Sequence, residues 1–212
     1  MARASRAVAS QHKVAIEEAS AKLIRERGPH AVSVAEIMAN AGLTHGGFYG
    51  HFASKDDLVA VACRRAFEEG DQRWDRRIAS ADGDRQAARR ALVAAYLTPV
   101  HRDHAAEGCA AAALAADVAR EDADKPVRPV YREGLSALID KWRSTAPADL
   151  PEADARQQAL VEVSAMAGAL MLARATTGDP LSEAILDATR AWLLGEDVDE
   201  PAAEPAPEPA AG

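Results

Sequence analysis

The sequence predicts an all-α protein: a small three-helix helix–turn–helix unit at the N-terminus, then a larger helical unit, about nine helices in total. Three observations carry this. Val, Ile and Thr never alternate with polar residues over a strand-length window, so strands have no signal. Alanine dominates and apolar residues recur at helical spacing. Capping residue types and glycine stops punctuate the chain at helix-length intervals.

The first helix is expected from about Ser10, a capping residue type, to Arg27, where Gly28-Pro29 ends it. Ile16, Ala19, Leu23 and Ile24 share one face, with Glu17, Glu18 and Arg25 largely away from it. "SVAE" pairs Ser33 with Glu36 as a capping box and opens a short helix that Gly42 closes. Thr44 follows as a further N-cap, so "THGGFYGH" reads as a second short helix despite three glycines. Ser54, with Asp57 three residues on, starts a long helix reaching about Arg77. Further helices are expected over about 85–98, 109–120, up to Ser144, and on to about Thr177. "VHRDHAAEG" between them reads as a ragged turn. Ser182 is expected to cap a last helix to about Leu194, and residues 196–212 read as a disordered acidic Pro/Ala tail.

Net charge is −8, but unevenly placed. Residues 1–55 hold seven Lys/Arg against four Glu, a balance of +3, leaving −11 on the rest. A mildly basic N-terminal unit on an acidic body fits a modular nucleic-acid binder. Cys63 and Cys109 are too few and too far apart for a disulfide framework, which suits a reducing, cytoplasmic setting. No signal peptide is expected at the N-terminus. The apolar run 159–175 contains Glu162 and Arg174, so it reads as a helix buried on most sides rather than a bilayer span, and no membrane partner is expected. The sequence holds no phosphate-binding loop, metal-ligand motif or serine nucleophile elbow, so neither an enzyme nor a cofactor is expected.

Two short capped helices joined by a glycine turn, behind a longer helix, suggest a DNA-binding helix–turn–helix. The run Val14–Val59 resembles the DNA-binding domain of TetR/AcrR-type transcriptional regulators. Ala19, Leu23-Ile24, Gly28, Ser33-Val34, Ile37, Ala41-Gly42-Leu43, Phe48-Tyr49, Phe52 and Ser54-Lys55 carry the likeness. Position 24 is more often Phe in that family, and Gly50 stands where His, Tyr or Trp is frequent. The resemblance implies a homodimer on a palindromic double-stranded operator, with Thr44–His51 as recognition helix. Ser33, Thr44, Tyr49 and Lys55 are then expected to hold phosphates, and His45, Gly46, Gly47 and His51 to face base edges or backbone. Phe48 and Phe52 lie i, i+4 and are assigned to the core.

The resemblance also implies a division into residues 1–53 for DNA binding and 54–195 for effector binding and dimerisation. The pocket would lie within the helices from about Arg85 to Thr177. Tyr96, His101, Cys109, Trp142 and Met166 are candidates for it, the effector being a small molecule of unknown identity. Ala165, Gly168, Ala169, Leu172, Leu186 and Trp192 are candidates for the dimer interface. Small residues there allow close helix approach, and most of the family are repressors released by ligand. Cys109 stands near a helix start, where thiolates are favoured, so a redox or electrophile sensor is an alternative; a small buried hydrophobe is the commoner role. His101, His104 and Cys109 match no closed zinc pattern. A helical interaction protein that binds no DNA would explain the alanine-rich bundle but not the ordered N-terminal pattern.

Overall fold

The computed structural model describes residues 2–196, and of residues 2–6 the backbone alone. Apart from Glu196, the expected acidic tail lies outside the described residues. The helices are α1 (Ala2–Arg27), α2 (Val34–Asn40), α3 (Lys55–Ala79), α4 (Arg85–Tyr96), α5 (Pro99–Asp103), α6 (Ala110–Arg120), α7 (Val127–Arg143), α8 (Glu152–Ala175) and α9 (Pro180–Leu194). Two 3₁₀ segments, His45–Gly50 and Ala105–Glu107, complete the architecture, and no strand occurs among the described residues.

Three apolar clusters stack along the chain, and α3 runs through all of them. The N-terminal cluster gathers Ile16, Val32, Ile37, Met38, Phe48, Phe52 and Leu58. The middle one joins Ile24, Cys63 and Ala66 to Leu114, Val118, Val127 and Val130. The third holds Trp74, Leu92, Trp142, Met166, Leu170 and Leu186. The expected division at 53/54 falls just ahead of α3, whose Leu58 closes the first cluster while its Trp74 enters the third. At 1.5 Å per residue this 25-residue helix is about 37 Å long.

Several local expectations are corrected. Helix α1 begins at Ala2, and Ser10 lies inside it: Ala4, Ala7 and Ala9 are strong helix formers that give no reason to start later. Arg25 is buried, not turned away, because α3 covers that side; it bonds Glu69 at 2.7 Å. "PVHRD" is helix α5, with Thr98 as N-cap accepting from His101 N–H and Pro99 in the first turn. The cap of α9 is Asp179, accepting from Leu181 N–H at 2.8 Å, with Pro180 as first residue. Ser182 is buried within α9, donating to the Ala173 carbonyl (2.7 Å) and accepting from Arg102 (2.8 Å).

Helix α8 is not buried on most sides. Ala159, Val163, Met166 and Leu170 face the core, while Leu160, Val161, Met171 and Leu172 are exposed. Its Glu162 is buried; the carboxylate accepts from Arg89 and from Trp142 Nε1 (2.8 Å), and Arg89 lies 4.3 Å over the Trp142 ring. Long and apolar enough to cross a membrane by composition, α8 is here a packed helix of the bundle.

Candidate nucleic-acid interface and cavity

The capping box of α2 forms as expected: Ser33 Oγ accepts from Glu36 N–H (3.2 Å), and the Glu36 carboxylate accepts from Ser33 N–H (2.8 Å) and its hydroxyl (2.9 Å). Arg27 bonds the same carboxylate at 2.8 Å. Arg27 and the two Ser33 donors hold Glu36 down to about 2. At the far end Gly42 adopts φ +72, Gly42 N–H bonds the Ala39 carbonyl and Leu43 N–H bonds that of Met38. This Schellman closure fixes the direction in which the chain leaves α2.

The element that follows is a 3₁₀ helix, His45–Gly50, not the α-helix expected. Three glycines in six residues leave too little propensity for a longer α-helical turn. Thr44 stands at its N-cap position without a side-chain capping bond. Phe48 and Phe52 anchor it, both buried and stacked at 5.8 Å. Between them Tyr49 is 71% exposed, its ring edge-on to Phe48 at 5.1 Å. Thr44, His45, Gly46 and Gly47 are exposed beside it; His51 is half-buried with its ring 6.3 Å from His12. Lys55, half-buried, opens α3. Ser33 fits its expected phosphate role poorly, since its hydroxyl proton is already donated to Glu36.

The second feature is a cavity of 1020 Å³ between α3, α4, α6 and α7, with Glu18 and Lys22 of α1 at its edge. Its volume follows from composition: Ala66, Ala95, Ala110, Gly134 and Ala137 line it where larger side chains would fill it. Phe67 packs on the backbone of α7 at Gly134, where a Cβ would collide with its ring. Tyr96, His101 and Cys109 line the cavity as expected. Trp142 and Met166 do not; both sit in the solid third cluster, at 0% and 2% exposure. The wall also contains Arg73, Trp74 and Arg77 of α3, a helix outside the range expected for the pocket. Of the three tryptophans, Trp74 and Trp142 converge at 5.8 Å, whereas Trp192 lies on the surface.

His101 clamps the inner end. Its Nδ1 faces the Tyr96 carbonyl at 2.7 Å, and its Nε2 receives Cys109 N–H at 3.0 Å. A carbonyl can only accept and an amide only donate, so the ring is neutral and carries its proton on Nδ1. Burial, with Arg174, Arg73 and Arg77 nearby, lowers His101 to about 4. Both ring nitrogens are thus engaged, and His104 points elsewhere, Nδ1 to Val100 O, so the geometry does not present them with Cys109 as a metal set. Arg174 reaches the carbonyls of His101 and Arg102 (both 3.1 Å) across Gly108, where a Cβ would meet its guanidinium. Burial raises the Tyr96 phenol well above its ordinary value, the neighbouring Cys109 adding to this. Cys63, fully buried, is pushed up to about 12 and serves packing.

Residues 16–62 match the family described as "Bacterial regulatory proteins, tetR family". The N-terminal segment is therefore a TetR-type DNA-binding domain. An uncharacterised HTH-type transcriptional regulator of Mycobacterium tuberculosis (strain CDC 1551) is 27% identical over 161 residues, covering 73% of this chain and 80% of the relative. The reduced form of Escherichia coli NemR superposes with TM-score 0.70 at 19% identity, over 87% of this chain and 96% of NemR. A TetR-family regulator of Cytophaga hutchinsonii gives 0.72 at 16% identity, over 91% and 98%. These structural likenesses establish the shared fold. The family and the matched relatives are transcriptional regulators, not enzymes.

The residues expected at a dimer interface divide. Leu172 and Trp192 are each 59% exposed, and Gly168 has open space where its Cβ would stand. Ala165 is half-buried. Ala169 (6%) and Leu186 (1%) instead face the chain's own core and are corrected to packing residues. Val161 and Leu181, outside the expected set, are also more than half exposed. Their exposure depends on how α8 and α9 lean together, which helical spacing does not encode.

Proposed function

We propose that this chain is a ligand-responsive repressor that binds a palindromic operator as a homodimer and leaves it when a small molecule enters the cavity. The observation that carries the reading is Tyr49: a large ring 71% exposed, held between two buried phenylalanines on the element after the α2 turn. An exposed aromatic fixed so firmly from beneath is suited to a partner surface, and a helix–turn–helix presents that side to the major groove. Thr44, His45, Gly46, Gly47, His51 and Lys55 share the reading, as phosphate or base-edge contacts. The cavity beside α6 and α7 supplies room for the effector. The apolar surface of Val161, Leu172, Leu181 and Trp192 supports a two-fold interface of α8 and α9.

Genomic fragments retained by the purified protein would yield the operator. Tyr49→Ala is then expected to abolish operator binding in a gel shift at fixed salt while its helical circular dichroism is unchanged. Wild-type affinity in that variant would overturn the assignment of the surface. A second reading rests on Cys109, a free thiol on the cavity wall. It predicts that Cys109 outpaces free cysteine toward an alkylating probe and that Cys109→Ala no longer responds to inducer. An unreactive thiol and an inducible variant would remove it.

A further inference from the structure

The charges around the cavity are not placed evenly. Its carboxylates stand at the rim or are already engaged. Glu68 and Glu133 are exposed to solvent, Glu107 lies 3.8 Å from Lys22, and Glu18 bonds Arg65 at 2.6 Å. Asp71 pairs with Lys141. Glu69, the acid beside Arg73, is held by Arg25 (2.7 Å) and Arg65 (3.2 Å).

The half-buried cations deeper in the wall have no such partners. Among the described residues neither Arg73 nor Arg77 has a carboxylate within 4.0 Å. Arg77 reaches only the Arg73 carbonyl, at 3.4 Å. Arg174 behind them is likewise without a carboxylate and bonds backbone carbonyls. Of the titratable groups around them, His101 is neutral, Tyr96 is held protonated, and Glu69 is taken up by Arg25 and Arg65. Burial and the adjacent Arg25 disfavour charge on Arg73 and outweigh the opposing influence of Glu69, which is itself held by Arg25 and Arg65. An apolar surface stands beside these cations: Trp74 edge-on to Tyr96 at 6.4 Å, with Phe67, Leu92 and Leu138.

Building on the effector reading above, we propose that the cavity takes an amphipathic organic anion, a carboxylate on an apolar, ring-sized body. The carboxylate sits on Arg73 and Arg77, and the body lies against Trp74, Tyr96, Phe67 and Leu138. A guanidinium matches a carboxylate with two parallel N–H donors, a geometry an ammonium does not offer. The volume of 1020 Å³ accommodates a body of two rings together with water.

The test uses the full-length protein and two pairs of probes: biphenyl-4-carboxylate with its carboxamide, and decanoate with decanamide. Calorimetry and quenching of tryptophan fluorescence report binding. Within at least one pair the carboxylate is expected to bind at least about tenfold tighter, the scale of a charge-assisted bidentate contact. Arg73→Met should reduce that preference to within about twofold, while Arg73→Lys keeps part of it because charge remains without the fork. Circular dichroism of Arg73→Met confirms that it folds. Equal affinity for acid and amide, a preference that survives Arg73→Met, or no binding by any probe would each overturn the anion assignment. Operator release in the same preparations tests the broader reading separately. A protein that prefers the carboxylates yet never leaves DNA upholds the ligand class and sinks the effector role. One that binds acid and amide alike and leaves DNA with both does the reverse.

Discussion

Lowering the pH from 7 to 5 tests the clamp at His101. Protonation would place a second N–H on Nε2, facing the Cys109 N–H that Nε2 now accepts, and would add a cation among Arg73, Arg77 and Arg174. The folded ring therefore resists the proton down to about 4, while the unfolded chain takes it near 6.5. Between those values the unfolded state binds more protons, so stability falls as pH falls and is fully present above 6.5. That span corresponds to about 3 kcal/mol in full, of which about 2 kcal/mol lies between pH 7 and pH 5. Urea midpoints followed by circular dichroism, at one protein concentration, give the wild-type loss. His101→Gln gives the background: its side-chain oxygen can still accept from Cys109 N–H, but it does not titrate. The variant should start about 1 kcal/mol lower at pH 7, having lost the bond to Tyr96, yet fall about 2 kcal/mol less by pH 5. Parallel pH profiles for the two proteins would refute the neutral-clamp argument.

Glu162→Ala should lower stability by about 3–5 kcal/mol in urea titration, because it strands Arg89 and the Trp142 N–H beside the core. Glu162→Gln, which keeps an acceptor for Trp142, should cost clearly less; equal costs would mean that the retained acceptor contributes little and the charge carries the effect. Gly134→Ala should drive the Phe67 ring off α7 at a cost of about 1–3 kcal/mol, read by thermal melting, and weaken any probe that binds the cavity. Val161→Glu with Leu172→Glu should shift sedimentation from dimer to monomer without loss of helix; an undisturbed dimer would place the interface elsewhere.

The fold was legible where its signals are local. The α2 capping box spans four residues, and Gly42 supplies the left-handed turn that places the next element. Phe48 and Phe52 could be assigned inward from their i, i+4 spacing, whereas Tyr49 was placed outward by the family resemblance. Errors arose where two residues within one turn could serve the same role. Asp179 and Ser182 are both capping types, and Pro180 favoured the earlier one. Pro99 reads in sequence as a helix stop, but after α4 ends at Tyr96 the pair Thr98-Pro99 opens α5.

The cavity was harder to read because its walls are distant in sequence. His101, Tyr96 and Cys109 lie within one short stretch, so a pattern could single them out. Arg73 and Trp74 belong to a helix ahead of the range expected for the pocket, and nothing in its periodicity says that α6 and α7 pack beside them. Glu162 is a different case. In the sequence it argues only against a bilayer span; Arg89 and Trp142, which make a buried place for it, lie 73 and 20 residues away.

The glycines of "THGGFYGH" bear on the surface they shape. A Cβ at Gly46 or Gly50 would meet nothing within 4 Å, and at Gly47 only the Met38 methyl at 3.6 Å, an ordinary contact. None of the three has a positive φ. The fold of the chain therefore does not require glycine at these positions, although each glycine weakens helix by about 1 kcal/mol relative to alanine. At Gly28 and Gly42 the left-handed backbone accounts for the residue; at Gly46 and Gly50 no internal reason exists. Local weakness without internal compensation is expected at surfaces shaped by a partner. Here it coincides with the exposed side of Tyr49, on the element that a helix–turn–helix turns toward the groove. With no side chains at 46 and 47, the backbone itself can approach a phosphate or base edge, and the missing side chain at Gly50 leaves Tyr49 and His51 as the flanking side chains there.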